Sequence, residues 1–157
     1  MLSDLELEFL QHSNYIEGVS DSQSLDQAVI AWEWMKTQEE LSTHLILKGH
    51  KILMLHQHLQ PDEKGYWRHV EVMIAGRLGK PWKQVPSLMA QWIERASLDD
   101  SWELIKRSHI DFEHIHPFVD GNGRIGRMVM NWQRLKAGLE VLVIREEERQ
   151  EYYQWFK

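Results

Sequence analysis

Twelve residues between His116 and Arg127, HPFVDGNGRIGR, gather a titratable base, a carboxylate, two glycines around an asparagine, and two arginines. Each type has a use if the ligand is a nucleoside polyphosphate. Gly121 and Gly123 permit a tight turn and close backbone approach, so that N–H groups opening the next helix can point at phosphate oxygens. Arg124 and Arg127, three apart at that opening, offer planar forks for phosphate. Asp120 supplies the single carboxylate that Mg²⁺ commonly takes from protein while phosphates and water complete its shell. His116, titrating near neutrality, can remove a proton from an attacking hydroxyl. Residues 121 to 136 hold Arg124, Arg127, Arg134 and Lys136 and no acid, a local cationic patch that an anionic ligand explains better than solubility does.

The elements that must position this loop read mostly as helices. Leu2, Leu5, Phe9 and Leu10 predict a short first helix broken near Gly18. Ser24 with Gln27 is a capping-box pattern opening a second helix with Val29, Trp32 and Met35 on one face. A third starts after Thr43. From Pro61 to Pro86 glycines and prolines interrupt the chain, and Trp67 to Ile74 (WRHVEVMI) predicts a short strand or hairpin. Pro86 suits the first turn of another helix, and Asp100 with Glu103 opens the next, carrying Trp102, Ile105, His109 and Phe112 on one stripe. The expected fold class is all-α, a helical bundle with a small β-hairpin, formed by residues 1–157 as a single domain. Trp32, Trp92, Trp102 and Trp132 are expected in its core.

Composition sets the outer bounds. Of 157 residues, 43% are apolar and 27% charged, which predicts a soluble globular protein. The net charge of -6 sits entirely in the first 26 residues, whose six acids have no Lys or Arg among them; the remaining 131 carry 18 bases and 18 acids. That balance argues against nucleic acid as a partner. No cysteine is present, which removes disulfides, thiolate zinc sites and cysteine nucleophiles and fits a cytoplasmic location. No apolar run approaches a membrane span, and no His-Glu-x-x-His spacing supports zinc.

The loop resembles the signature of Fic-domain proteins, H-P-F-x-[D/E]-G-N-G-R-x-x-R, with all nine fixed positions present. The resemblance extends through His109, Phe112 and Glu113, and to Gly65–Ile74 with Pro81 and Val85–Met89. It implies a helical fold with a β-hairpin flap. It also implies transfer of AMP from ATP, with Mg²⁺, to a Ser, Thr or Tyr hydroxyl of a target protein. On that resemblance His116 is the general base and Asp120 holds Mg²⁺. Gly121, Asn122 and Gly123 form the anion hole, Arg124 grips the phosphates, Arg127 orients the γ-phosphate, and Asn131 lines the nucleotide pocket. Phe118 anchors the loop in the core. A hairpin around His69, Val70, Glu71, Val72 and Met73 binds the target segment by strand addition.

Residues 1–24 are expected to form an inhibitory helical segment by the same resemblance. Ser13-Asn14-Tyr15-Ile16-Glu17-Gly18 is similar to the motif [S/T]-x-x-x-E-[G/N] of self-inhibited Fic proteins, in which Glu17 would pair with Arg127 and unseat the γ-phosphate. The ending, Arg149 to Phe156, resembles the helix that closes the adenine pocket, with Tyr152 and Tyr153 as candidate contacts. Two other functions fit the same loop: removal of AMP from modified proteins, and nucleotide binding by an interaction module with little turnover. The target's identity, the releasing signal and homo-oligomer formation are left open by the sequence.

Overall fold

The computed structural model describes all 157 residues. Seven α-helices run in order: α1 (Asp4–Ile16), α2 (Ser22–Lys36), α3 (Thr43–Leu53), α4 (Val85–Ala96), α5 (Trp102–Ile115), α6 (Asn122–Lys136) and α7 (Arg149–Tyr153). One antiparallel hairpin, β1 (Met73–Ile74) with β2 (Arg77–Leu78), lies between α3 and α4. The all-α bundle with a small β element is therefore the observed architecture. None of the helices is long and apolar enough to cross a membrane.

Helix α6 runs through the middle, packed against α1, α2, α3 and α5. From Asn122 to Gln133 every residue except Gly123 is buried, and its Ile125, Met128, Val129 and Trp132 join Phe9, Trp32, Leu45, Trp92 and Phe112 in one core. Burying each such side chain stabilises the fold by about 1.5–3 kcal/mol. The buried indoles are satisfied: Trp92 donates to the Ser108 carbonyl at 2.8 Å and Trp132 to that of Met35 at 3.0 Å. Trp102 departs from expectation. It is half-buried, with the Arg134 guanidinium over its ring and Trp155 edge-on to it.

Helix starts differ from the sequence reading by small but physical amounts. Asp21, not Ser24, caps α2, its carboxylate accepting the Ser24 N–H at 2.9 Å. Ser101, not Asp100, caps α5. A carboxylate or hydroxyl serves whichever position has extended backbone, and both residues do. Helix α1 ends at Ile16, so the segment to residue 24 also takes in the first residues of α2. Ser3 and Glu6 close a capping box on α1, and Arg145 pairs with Glu8, which docks α1 to the chain leading into α7.

The expected strand over Trp67–Ile74 is shorter than predicted. Only Met73 and Ile74 pair, with Leu78 and Arg77, while the Arg68 side chain takes up the Val70 and Lys80 carbonyls. The turn residues Ala75 and Gly76 both have positive φ, the twist that a two-residue hairpin requires.

Candidate active site

The twelve-residue loop leaves the C-terminus of α5 and enters α6. His116 is the α5 C-cap in left-handed conformation (φ 54), which lifts its ring out of the helical line. Its Nδ1 lies 3.3 Å from the Glu113 carbonyl, an acceptor only, so Nδ1 carries the proton and Nε2 keeps a free lone pair. Burial holds the ring below its ordinary pKa of 6.5, so it is neutral and basic at neutral pH. The loop closes on itself: Asn122 accepts the Phe118 N–H and donates to the Phe118 carbonyl, both at 2.8 Å. Its side chain thereby ties Phe118 to the start of α6. The N–H groups of Asn122, Gly123 and Arg124 open α6 and lack helical acceptors, which leaves them for a ligand.

Two residues that sequence reasoning missed fix this loop from outside. His50 is fully buried, stacked on Phe118 at 3.7 Å. It accepts the Gly65 N–H at Nδ1 and donates from Nε2 to the Asp120 carbonyl at 2.8 Å. Gly121, at φ 86, leaves room for it; a Cβ there would meet the Met54 sulfur at 2.8 Å. Arg68 is 2% exposed and has no carboxylate partner. Its guanidinium donates to the carbonyls of His116, Ile115, Val70 and Lys80, joining the negative end of α5 to the flap. Replacing Arg68 with lysine keeps the charge but loses the fork. Unfolding free energy is expected to drop by about 2–4 kcal/mol in denaturant titrations. Neither residue carries a local signal for its hold on the loop, since Arg68 reaches carbonyls 47 and 48 positions away and His50 one 70 away.

The two arginines differ in their partners. Arg124 is buried with Nε unpaired and NH2 3.9 Å from Asp120. Arg127, 2% exposed, is gripped from both sides. From α1, Ser13 accepts Nε through its hydroxyl (2.8 Å) and NH2 through its carbonyl (2.9 Å), and Glu17 Oε1 accepts NH2 at 2.7 Å. From α7, the Tyr152 hydroxyl lies 3.3 Å from NH1. Burial opposes the Arg127 charge, yet Tyr152 and Glu17 together hold its pKa above the ordinary value. The Glu17 carboxylate rests on Gly123, where a Cβ would lie 2.1 Å from Oε1. It therefore sits over the first turn of α6, on the surface the sequence offers to an anion.

Tyr152 also bonds His109 Nε2 at 2.7 Å, and His109 Nδ1 donates to the Gly126 carbonyl at 3.2 Å. Tyr152 thus turns its hydroxyl inward to His109 and Arg127, and both Tyr152 and Tyr153 line the cleft wall. Burial pushes His50 down to about 4; burial, then Arg127, pushes His109 down to about 3. Below pH 6.5 the unfolded chain takes up protons that these folded rings refuse. Their contribution to stability is therefore full above pH 6.5 and is lost as the pH falls toward 4. Imidazole carbon spectra recorded down to about pH 5 are expected to show both rings still neutral.

A cleft of about 470 Å³ collects Glu17, Glu113, His116, Gly123, Arg127 and Tyr152, with Ile74 and Ala75 of the hairpin tip at its mouth. Asp120 stands apart on the surface, one carboxylate oxygen accepting the Gly121 N–H at 2.8 Å. In the flap His69, Val70, Glu71 and Met73 are exposed; the Val72 carbonyl accepts the Gly79 N–H, and Met73 pairs with Leu78. Asn131 is not among the residues lining this cleft: it is completely buried, its amide donating to the Leu142 carbonyl and accepting the Leu142 N–H, so that it holds the connection to α7.

Residues 40–133 match the Fic/DOC family. The protein adenylyltransferase Fic of Drosophila melanogaster is 33% identical over 115 residues, which cover 68% of this chain and 23% of that protein. That of Drosophila erecta is 31% identical over 123 residues, covering 75% of this chain and 24% of that one. The chain thus spans about a quarter of the length of these curated relatives. Among solved structures, a Fic domain containing signaling protein from Bacteroides thetaiotaomicron superposes with a TM-score of 0.80 at 20% identity, over 94% of this chain and 69% of that one. Fic-1 of C. elegans does so at 0.78 and 22%, over 98% and 55%. A family match across more than half of the sequence, on the loop that gathers around this cleft, makes the chain a member of the Fic/DOC family.

Proposed function

We propose that the chain is a protein adenylyltransferase that moves AMP from ATP to a hydroxyl of a target protein, and that the form described here is self-inhibited. The observation that carries this reading is the Glu17 carboxylate, which pairs with Arg127 at 2.7 Å and covers Gly123 in the cleft that holds His116. A γ-phosphate cannot use Arg127 while Glu17 does. With Glu17 withdrawn, the free N–H groups at the start of α6 and the Arg124 and Arg127 guanidiniums face the triphosphate. His116 Nε2 takes the proton of the attacking hydroxyl, whose oxygen forms a bond to the α-phosphorus as the bond to the bridging oxygen breaks and pyrophosphate leaves. The target segment pairs with the flap over His69–Met73 by strand addition.

Asp120 fits Mg²⁺ as a lone, exposed carboxylate suited to an ion that fills its remaining positions with phosphate oxygens and water. Bound there, the ion would offset charge on the phosphates. Incubation with α-labelled ATP and Mg²⁺ tests the reading through label retained on protein, in the chain itself or in an added lysate. If no label is retained even after Glu17 is replaced, the proposal fails.

One feature favours a second reading, AMP removal. Only Oε1 of Glu17 bonds Arg127, which leaves Oε2 to orient a water toward a phosphodiester. Release of AMP from a previously modified protein, lost when Glu17 is replaced, would favour it.

A further inference from the structure

Helix α6 seats two carboxyl groups, one turn apart. Glu17 covers Gly123, and Glu113 of α5 covers Gly126, where a Cβ would also lie 2.1 Å from a carboxyl oxygen. Both groups line the same cleft as Arg127, the cation whose field reaches Glu113. Their circumstances are opposite. Glu17 is ion-paired, whereas Glu113 Oε1 is buried with no hydrogen-bond partner at all. A buried, ionised carboxylate without a partner is strongly disfavoured, and two carboxylates facing one guanidinium repel each other. Burial first, then the Glu17 charge, push Glu113 upward and Arg127 pulls it down, leaving it at about 8. Tyr152 from α7 faces the pair, and His109 and His116 flank it from α5 and the loop; both histidines are held low by burial, and neither supplies a counter-charge at neutral pH.

We propose that Glu113 is the reserve partner of Arg127: neutral while Glu17 or a polyphosphate holds the guanidinium, and ionised against it when neither does. Withdrawal of Glu17 leaves a cation that is 2% exposed without a carboxylate, and Glu113 is the other acid lining the cleft, within reach of its field. It loses its proton as Glu17 leaves and regains one when phosphate takes over Arg127. Nucleotide binding to the released chain therefore takes up a proton at Glu113. Above the pH at which Glu113 ionises in the empty cleft, ATP affinity falls by up to about tenfold per pH unit. The inference rests on the ATP-binding reading above and adds a positioning residue to it.

Two measurements on the full chain separate the ideas. Carbon-13 NMR of Glu113 without nucleotide is expected to show a midpoint well above the usual carboxylate range, and a lower one in Glu17→Gly, where the neighbouring negative charge is gone. A midpoint near the ordinary 4.5 in both would overturn the proposal. ATP calorimetry on Glu17→Gly, in buffers of differing ionisation enthalpy between about pH 7.5 and 9, is expected to show proton uptake that vanishes in Glu17→Gly/Glu113→Gln. Equal uptake in both variants, or none in the first, would also overturn it. If ATP fails to bind Glu17→Gly at all, the adenylyl-transfer reading falls, while the NMR midpoints still decide whether Glu113 answers to Glu17.

Discussion

Replacing Glu17 with glycine is expected to raise AMP transfer by about a hundredfold, measured as label from α-labelled ATP retained on protein. An equilibrium that keeps about 1% of molecules open needs only about 2.7 kcal/mol of bias. The Glu17–Arg127 pair is of the right size to supply it. Breaking a fully buried pair costs about 3–5 kcal/mol, and here only one partner is fully buried: the Arg127 side chain is 2% exposed and that of Glu17 35%. Glycine removes the carboxylate and opens the surface of Gly123, while α1 keeps its Ser13 bonds to Arg127 and its Glu8–Arg145 contact. Unfolding free energy is expected to fall by up to about 2.7 kcal/mol, the bias the pair supplies, while activity rises. Apparent ATP affinity should rise with activity, because Glu113, unlike Glu17, gives up Arg127 by taking up a proton.

The second large effect belongs to His116. In the Glu17→Gly background, His116→Ala is expected to lower transfer by about 10²–10⁴, the range of a general base, with ATP affinity retained. The loop does not depend on the imidazole: Asn122 closes it, and Arg68 and His50 hold its carbonyls. The left-handed backbone is no more strained with alanine than with histidine, since each has a Cβ. The pH profile of Glu17→Gly supplies a second check. Because His116 is held below 6.5, transfer is expected to rise with pH and level off below that value. A rate that climbs through pH 7 would assign the proton to another group.

The loop was legible because its chemistry is contiguous, and Glu17 because a motif pointed to it. What escaped was everything that acts across the chain. Arg68 reads as a charge in a β-like run, yet it is the buried clamp between α5 and the flap. His50 lies 70 positions from the carbonyl it holds. Asn131 follows Arg127 by one helical turn, and the resemblance pointed it at the nucleotide pocket. The Leu142 backbone claimed both ends of its amide instead. Tyr152, named as a candidate adenine contact, spends its hydroxyl on His109 and Arg127.

None of the three fastenings of the loop comes from α1. Asn122 ties it within itself, His50 holds it from α3, and Arg68 holds it from the flap side. Under the proposed self-inhibition, release would involve no refolding of the loop, only the departure of one side chain or one helix. The delay between a releasing event and a competent enzyme is then that of loop and helix displacement, about microseconds to milliseconds.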